Sequence, residues 1–578
     1  MTALNNRGAD DNSGRDEVES TGAERVAGGA IAPEGQAGAA IQAPEQPVPT
    51  PEQPDTARNS ATVAIWTLLS RVTGLLRVVV VGAMLGATYF ANSFQATNVV
   101  PNIVFSLVAG PVLVMVVAPG LIGAIERGGV AQGKAVFARV LGWLLVVAVS
   151  VVAVLMLASP LLAWTLTRSI ADPLARAEAL RLTTWLLLLV LPQLPIYCMV
   201  HLGVGAQRAR GRFALSAAAS AVENVVTIAT VVLAGFIYGS GLTLGQVPFG
   251  MVLMLGLGSS AAVSVHAALQ LFGTYRAGLL AWPSLRWRDD PDARAITRRL
   301  RRSVGVAGLP GLAMYVLYAL AASVPGGVFV VQMSYSVLYS LSYLSARAVG
   351  MAALPELAEA WHRADSSAFG TIWRRGLAYA LIASIPLLVL LGILGGPTAD
   401  VLANGQLRDA ALVTPLGLCL AVVALAQLVT GLSDLGNQAL YARDEDRMPR
   451  IASRVTLGVT IAVGATSLLG PPGGPRLVWL VVAILAGELV ASVMVMGRIR
   501  GALRPERFVD RRMLRATVIA AVAMAPVVVA TWWVQRIVDG GQLGTLGVLV
   551  VGGGLAMAVY GLVLKLTWRR PAPELSEQ

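Results

Sequence analysis

The residues best able to do chemistry in this chain are polar groups set inside long apolar runs. The first run reads Ser70-Arg71-Val72-Thr73-Gly74-Leu75-Leu76-Arg77. At about 100° per residue, Arg71 and Arg77 stand about 240° apart around a helix. They cannot meet at one point, but both can border a wide cavity or reach its mouth. Guanidinium groups suit the planar, bidentate recognition of phosphate, so an anion-accepting cavity is one reading. Snorkelling toward lipid head groups is the other. The second run carries Asn92, Gln95, Asn98 and Asn102, spaced three to four residues apart and therefore on one helical face. That face either lines a wet cavity or bonds helix to helix, and Pro101 within it can mark a bend. In the eighth run Tyr335, Tyr339, Tyr343 and Arg347 form an i,i+4 stripe, open to either helix packing or a central cavity. Glu223, Asp434 and Glu488 are the acids inside apolar runs. Such groups are costly there and often functional, by pairing with an arginine or by ion coupling.

Other chemistries fit poorly. Gly128 to Ala135 comes near the phosphate-binding pattern G-x-x-x-x-G-K-S/T, but Ala135 lacks the hydroxyl that would hold magnesium. His201, His266 and His362 are scattered, and Cys198 and Cys419 fit no metal or redox spacing. No catalytic residue, metal site or bound cofactor is expected. Energy would come from membrane potential or an ion gradient.

The elements that must position these groups follow from composition. The chain has 578 residues, 56% of them hydrophobic and 13% charged, where a soluble domain would carry about a quarter charged. Its mean hydropathy is +0.69. Apolar runs of about 20 residues, each long enough to cross a bilayer as a helix, recur over 61–84, 91–122, 136–163, 180–206, 212–238, 249–274, 303–325, 327–356, 372–396, 408–440, 449–470, 475–497, 514–535 and 544–566. The expected class is an all-α polytopic membrane protein with about fourteen transmembrane helices. Alternate loops and the C-terminal tail hold about 31 Lys and Arg, against about six in the opposite loops. The positive-inside rule then places both termini in the cytoplasm. Basic loops spread between spans imply contact with anionic phospholipids rather than nucleic acid. Residues 1–58 hold ten acids, four arginines and no Phe, Tyr or Trp. A segment so poor in apolar surface is expected to be a disordered cytoplasmic tail, suited to binding partner proteins. No apolar stretch precedes the first span, which is therefore expected to direct insertion.

The chain also repeats itself. Pro119-x-Leu121-x-x-Ala124-x-x-Arg127 returns as Pro355-x-Leu357-x-x-Ala360-x-x-Arg363. Around the fourth and fifth runs, Leu202, Gly203, Ala206, Ala209 and Arg210 match Leu435, Gly436, Ala439, Ala442 and Arg443 at nearly the same offset. This predicts two pseudo-symmetric six-helix lobes, related by an axis along the membrane normal, with substrate between them. The expected organisation is a tail (1–58), a first lobe (59–280), a basic linker (281–302), a second lobe (303–498), two extra spans (499–566) and a short tail (567–578).

Ser70-Arg71-Val72-x-Gly74-x-x-Arg77, followed by Gly86-Ala87 and Pro101-Asn102, resembles the opening of the MurJ/MviN family of lipid II flippases. Gln207 to Phe213 and Tyr441-Ala442-Arg443, with Arg447 and Pro449, extend the resemblance over roughly 61–566. It implies the multidrug/oligosaccharidyl-lipid/polysaccharide exporter fold, a bacterial cytoplasmic-membrane location and alternating access. The cargo it implies is lipid II or another polyprenyl-pyrophosphate-linked glycan, turned from the inner to the outer leaflet. The family's cavity arginines imply such roles for Arg71 and Arg77. Elsewhere the chain departs: Asn92 stands where the family often has an acid, Phe105 and Ser106 replace a basic pair, Gly110 an acid, and Ser336 the span-eight arginine. The alternatives are an exporter of another lipid-linked glycan or small molecule, and a transport-inactive scaffold for cell-wall synthesis.

Overall fold

A computed structural model describes residues 56–108, 110, 112–303, 308–408, 410–503, 508–538 and 540–568. The N-terminal segment expected to be disordered lies, apart from its last residues, outside them, as does most of the short C-terminal tail. The described chain is helical throughout: α1 (Thr56–Leu85), α2 (Tyr89–Val108), α3 (Val112–Leu157), α4 (Ser159–Thr167), α5 (Pro173–Val190), α6 (Gln193–Ala209), α7 (Ala214–Tyr238), α8 (Phe249–Arg276), α9 (Pro291–Ser303), α10 (Leu309–Ala321), α11 (Gly327–Leu344), α12 (Ala346–His362), α13 (Ser366–Leu402), α14 (Ala410–Tyr441), α15 (Arg447–Thr466), α16 (Gly474–Ala502), α17 (Arg511–Ile537) and α18 (Gly541–Thr567). Among the described residues, twelve helical stretches are long and apolar enough to cross a membrane. The two further spans expected from sequence fall on α2, whose asparagines lower its apolarity, and on α10, which has only 13 residues.

Two expected spans are broken, at equivalent places. The second divides between α2 and α3, where Gly110 takes a left-handed φ of 47° and the sequence continues with Pro111. Proline lacks the N–H that an uninterrupted helix needs there. The eighth divides at Ser345 (φ −116°, ψ −115°) between α11 and α12. These breaks fall at matching points of the sequence repeat. The near-match to a phosphate-binding loop, Gly128 to Ala135, lies at a kink in α3, where Gly129 has φ 68° and ψ −172°. It is a turn between two helical arms.

Helix pairing also repeats. In the first half α1 packs on α7, α7 on α8, α6 on α8 and α2 on α5. In the second half α10 packs on α15, α15 on α16, α14 on α16 and α11 on α14. The two halves meet through α1 with α11, and through α2 with α10 and α11. The last two helices pack on each other and on α13, around Leu394, Met524, Val528, Ala556 and Tyr560.

The loops sort into two ends, as the charge alternation requires. At the less basic end, Gly241 N–H donates to Met84 O (2.9 Å) and Gly326 N–H to Thr88 O (3.2 Å). Gly86, at φ 75°, sits so tightly there that a Cβ would come within 2.9 Å of the Gln406 side chain. At the other end the basic loops engage one another. Arg127 pairs with Asp292 (2.6 Å), Arg139 with Asp290, and Arg498 with Glu445 (2.5 Å). The Arg443 guanidinium lies 4.7 Å from the Trp361 ring centre.

Candidate functional site

Where the two halves face each other, three helices bring their cations and aromatics into one assembly. From α1, Arg71 lies over the rings of Tyr343 (4.4 Å) and Tyr339 (5.4 Å). From α12, Arg347 lies over the same rings, at 4.5 Å and 5.2 Å. Tyr339 meets Tyr343 at a tilt, with ring centres 5.3 Å apart, and stacks on Tyr335 at 5.7 Å. A guanidinium against an aromatic face keeps its edge donors free, so two guanidinium groups sharing one pair of rings can present forked donors to a common anion. Like charges converge here because the ring faces and Asp434, 3.7 Å from Arg347, offset their repulsion. Glu488 interacts electrostatically with both Asp434 and Arg347, so two of the three intramembrane acids belong to one neighbourhood.

Arg77 belongs to a different cluster, behind α1. Its guanidinium is 4.0 Å from Glu223 on α7. The other oxygen of that carboxylate accepts from His266 Nδ1 on α8 at 2.6 Å. His266 Nε2 lies 3.2 Å from the Gln270 amide, and Gln207 Nε2 donates to Gln270 Oε1 at 2.6 Å. A single carboxylate thus serves both a cation and an imidazole. Sequence alone did not point to His266 and Gln270 as partners of Glu223. A signal was available: His266 and Gln270 stand i,i+4 in an otherwise apolar run, which puts two polar groups on one face of α8.

The asparagine face of α2 divides among several surroundings. Asn92 is 2% exposed, and its whole amide is committed to the facing lobe. Nδ2 donates to Val324 O (2.7 Å) and Ala322 O (3.4 Å), while Oδ1 accepts from Val328 N–H (3.0 Å). It therefore latches the two halves at the less basic end, in the same region as the Thr88–Gly326 bond. Gln95 is buried, Asn98 donates to Ser259 on α8 (3.1 Å), and Asn102 is exposed. Phe105 is buried, its ring 4.3 Å from that of His201. Ser336 is half-buried and accepts a 3.4 Å bond from Gln332. Cys198 and Cys419 are buried and free. Among the described residues no cluster of His, Cys, Asp and Glu is arranged to hold a metal ion.

The latch gives a direct prediction. Asn92→Ala strands the Ala322 carbonyl and the Val328 N–H in a buried interface, while the Val324 carbonyl keeps the Gly327 N–H, at a cost of about 1–3 kcal/mol per unpaired group. A cysteine placed at Ala96, one turn along α2, should then react faster with a membrane-impermeant thiol reagent than in the parent protein. Unchanged labelling would mean that the latch does not hold this end closed.

The two-lobed helical fold has counterparts. The solved structure of the lipid II flippase MurJ in an inward closed conformation superposes with a TM-score of 0.66, covering 88% of this chain and 99% of that one at 13% identity. An inward-facing multidrug resistance MATE family transporter of the MOP superfamily superposes with a TM-score of 0.59, covering 75% and 95% at 15% identity. These show the fold. In sequence, the probable lipid II flippase MurJ of Rhizobium tropici is 25% identical over 511 residues, which is 87% of this chain and 92% of that protein. A family model described as lipid II flippase MurJ matches residues 81–552. That match runs from the C-terminal end of α1 into α18 and takes in the Tyr339–Tyr343–Arg347 face of the seam, with Arg71 just before its start, so this multi-pass protein of the bacterial inner membrane belongs to the MurJ family of lipid II flippases.

Proposed function

We propose that the protein carries lipid II, or a closely similar polyprenyl-pyrophosphate-linked glycan, from the inner to the outer leaflet by alternating access. The observation that carries this reading is the Arg71–Tyr339–Tyr343–Arg347 assembly, which offers two guanidinium groups from opposite lobes to one anion. In this reading the basic loops and both termini face the cytoplasm. Asn92 closes the outer end while the inner end loads. A diphosphate arriving from the cytoplasmic leaflet replaces ring faces as the partner of Arg71 and Arg347. Its binding relieves guanidinium repulsion across the seam and ties the lobes together at the inner end. Release of the Asn92 latch then opens the outer end. An inside-negative potential favours outward movement of an anionic cargo by about 2.3 kcal/mol per charge per 100 mV, which is a sufficient drive without nucleotide. Glu223 and the Asp434–Glu488 pair are the candidate sites for a coupled ion. The cavity role extends to Gln95, Asn98 and Asn102, while Asn92 acts through the latch and Arg77 through its pairing with Glu223.

A second reading, another lipid-linked glycan as cargo, draws on Phe105. A neutral ring packed on His201 stands where the family resemblance implies a cation, and this changes what meets the sugar or peptide beyond the diphosphate. The two are separated by reconstituting the full chain in proteoliposomes with an imposed inside-negative potential. Labelled lipid II should become accessible in the opposite leaflet at least tenfold faster than in empty liposomes. Flipping of a different polyprenyl-diphosphate glycan without flipping of lipid II would favour the second reading. Flipping of neither would overturn both.

A further inference from the structure

A second group of cations lies away from the seam, on the linker that joins the lobes. The sequence marked this stretch only as basic, but the structure makes it an amphipathic helix, α9. Ala293, Ile296 and Leu300 are buried in the first lobe's core, and Ile296 packs so closely on α3 that a Cβ on Gly120 would come within 2.6 Å of it. Two acids of this segment are used in docking it. Asp290 caps the helix by accepting from the N–H groups of Asp292 (2.8 Å) and Ala293 (3.0 Å), and it also pairs with Arg139. Asp292 pairs with Arg127 (2.6 Å).

The arginines are left over. Arg294, Arg298 and Arg301 are exposed at i, i+4 and i+7, so they form one stripe, and among the described residues no carboxylate pairs with them. With Trp287 and Pro291 they line a concavity of about 430 Å³. Like charges at i,i+4 repel, which costs a helix a few tenths of a kcal/mol per pair. Three in a row over one hollow are stabilised by a ligand with several negative charges. Seven residues span about 10 Å of helix, a length over which three long side chains can converge on two adjacent phosphates. A phosphodiester lipid brings a single charge and cannot satisfy all three. Trp287 is held edge-on by Trp143 (6.4 Å between ring centres) and offers an apolar face suited to the membrane boundary.

We infer that this hollow on the inter-lobe linker binds the diphosphate head group of a polyprenyl-linked lipid at the cytoplasmic surface, as a loading site ahead of the central seam. This rests on the transport reading above and adds a second, separate place for the same anion. The cargo's charge is met first by an exposed stripe, which raises its local concentration, and then by the two guanidinium groups in the seam.

The test uses the full chain in nanodiscs of zwitterionic lipid, with undecaprenyl diphosphate as the probe. An Arg71→Ala, Arg347→Ala background removes both guanidinium groups of the seam and isolates the linker. That protein should keep a saturable binding step. The triple change Arg294→Gln, Arg298→Gln and Arg301→Gln should weaken it at least tenfold. Arg299→Gln, an exposed cation off the stripe, should change it less than twofold. Equal binding by the triple variant and its parent would overturn the inference. So would displacement by phosphatidylglycerol at equal concentration, which would make the hollow a general lipid contact, or equally tight binding of inorganic diphosphate, which would remove the lipid from the account. If wild type flips lipid II while the triple variant binds normally, the linker site alone falls. If wild type neither binds nor flips any polyprenyl diphosphate, the transport reading falls with it.

Discussion

Arg71→Ala should abolish complementation of a flippase-depleted strain while the protein still reaches the membrane at normal level. The side chain is half-buried at the seam, over two rings of the opposite lobe, and alanine removes the only cation that α1 contributes to that assembly. Charge-assisted, bidentate bonds are among the strongest an anion can find inside a bilayer. Arg71→Lys keeps the charge and loses the planar fork, so partial rescue is expected. The dependence should be steep because Phe105 and Ser336 offer no substitute charge. Growth of the alanine strain equal to wild type would show that Arg71 only snorkels, and the seam would lose its role as the anion site.

Glu223→Ala should lower folded yield and thermal stability in detergent. The carboxylate holds Arg77 at 4.0 Å and His266 at 2.6 Å, and its side chain is only 12% exposed. Breaking a buried pair from one side costs about 3–5 kcal/mol, because the remaining charge has no partner. The full figure is an upper bound here, since about a third of the Arg77 side chain (34%) is exposed and solvent screens it. Glu223→Gln should be milder, since an amide oxygen can still accept from the imidazole. Removing the orphaned cation as well, in Glu223→Ala with Arg77→Ala, should recover part of the lost melting temperature. A double variant no more stable than Glu223→Ala alone would show that the two side chains do not compensate each other.

Some of this was written in the sequence. Helical class, membrane insertion and the alternation of loops depend on run length and local charge, and both are properties of short segments. The duplication was legible because its two copies kept small residues and arginines where the helices pack. The resemblance that Arg71 and its neighbours carry was legible for the same reason: the motif is contiguous. Even the tyrosine stripe was visible as a face, since Tyr335, Tyr339 and Tyr343 follow the helical period.

Tertiary structure decided what each face meets. Periodicity says that Asn92, Gln95, Asn98 and Asn102 share a side of a helix, but it is silent on what lies opposite. For Asn92 that proved to be the backbone of the facing lobe, and for Asn98 a serine on α8. The same limit hid the partnership of Glu223 with His266, on neighbouring helices, and the meeting of Arg71 with Tyr343 across the seam. It also hid the breaks near Gly110 and at Ser345, which local apolarity does not record. The linker shows the division most clearly. Its arginines were read as loop charge because the segment is short and polar, and only the packing of Ala293, Ile296 and Leu300 on α3 fixes it as a helix. A sequence specifies the chemistry of a helix one face at a time. Which faces are brought together is fixed by the packing of all the helices at once, and in this protein that packing puts two cations from opposite lobes on the same pair of rings.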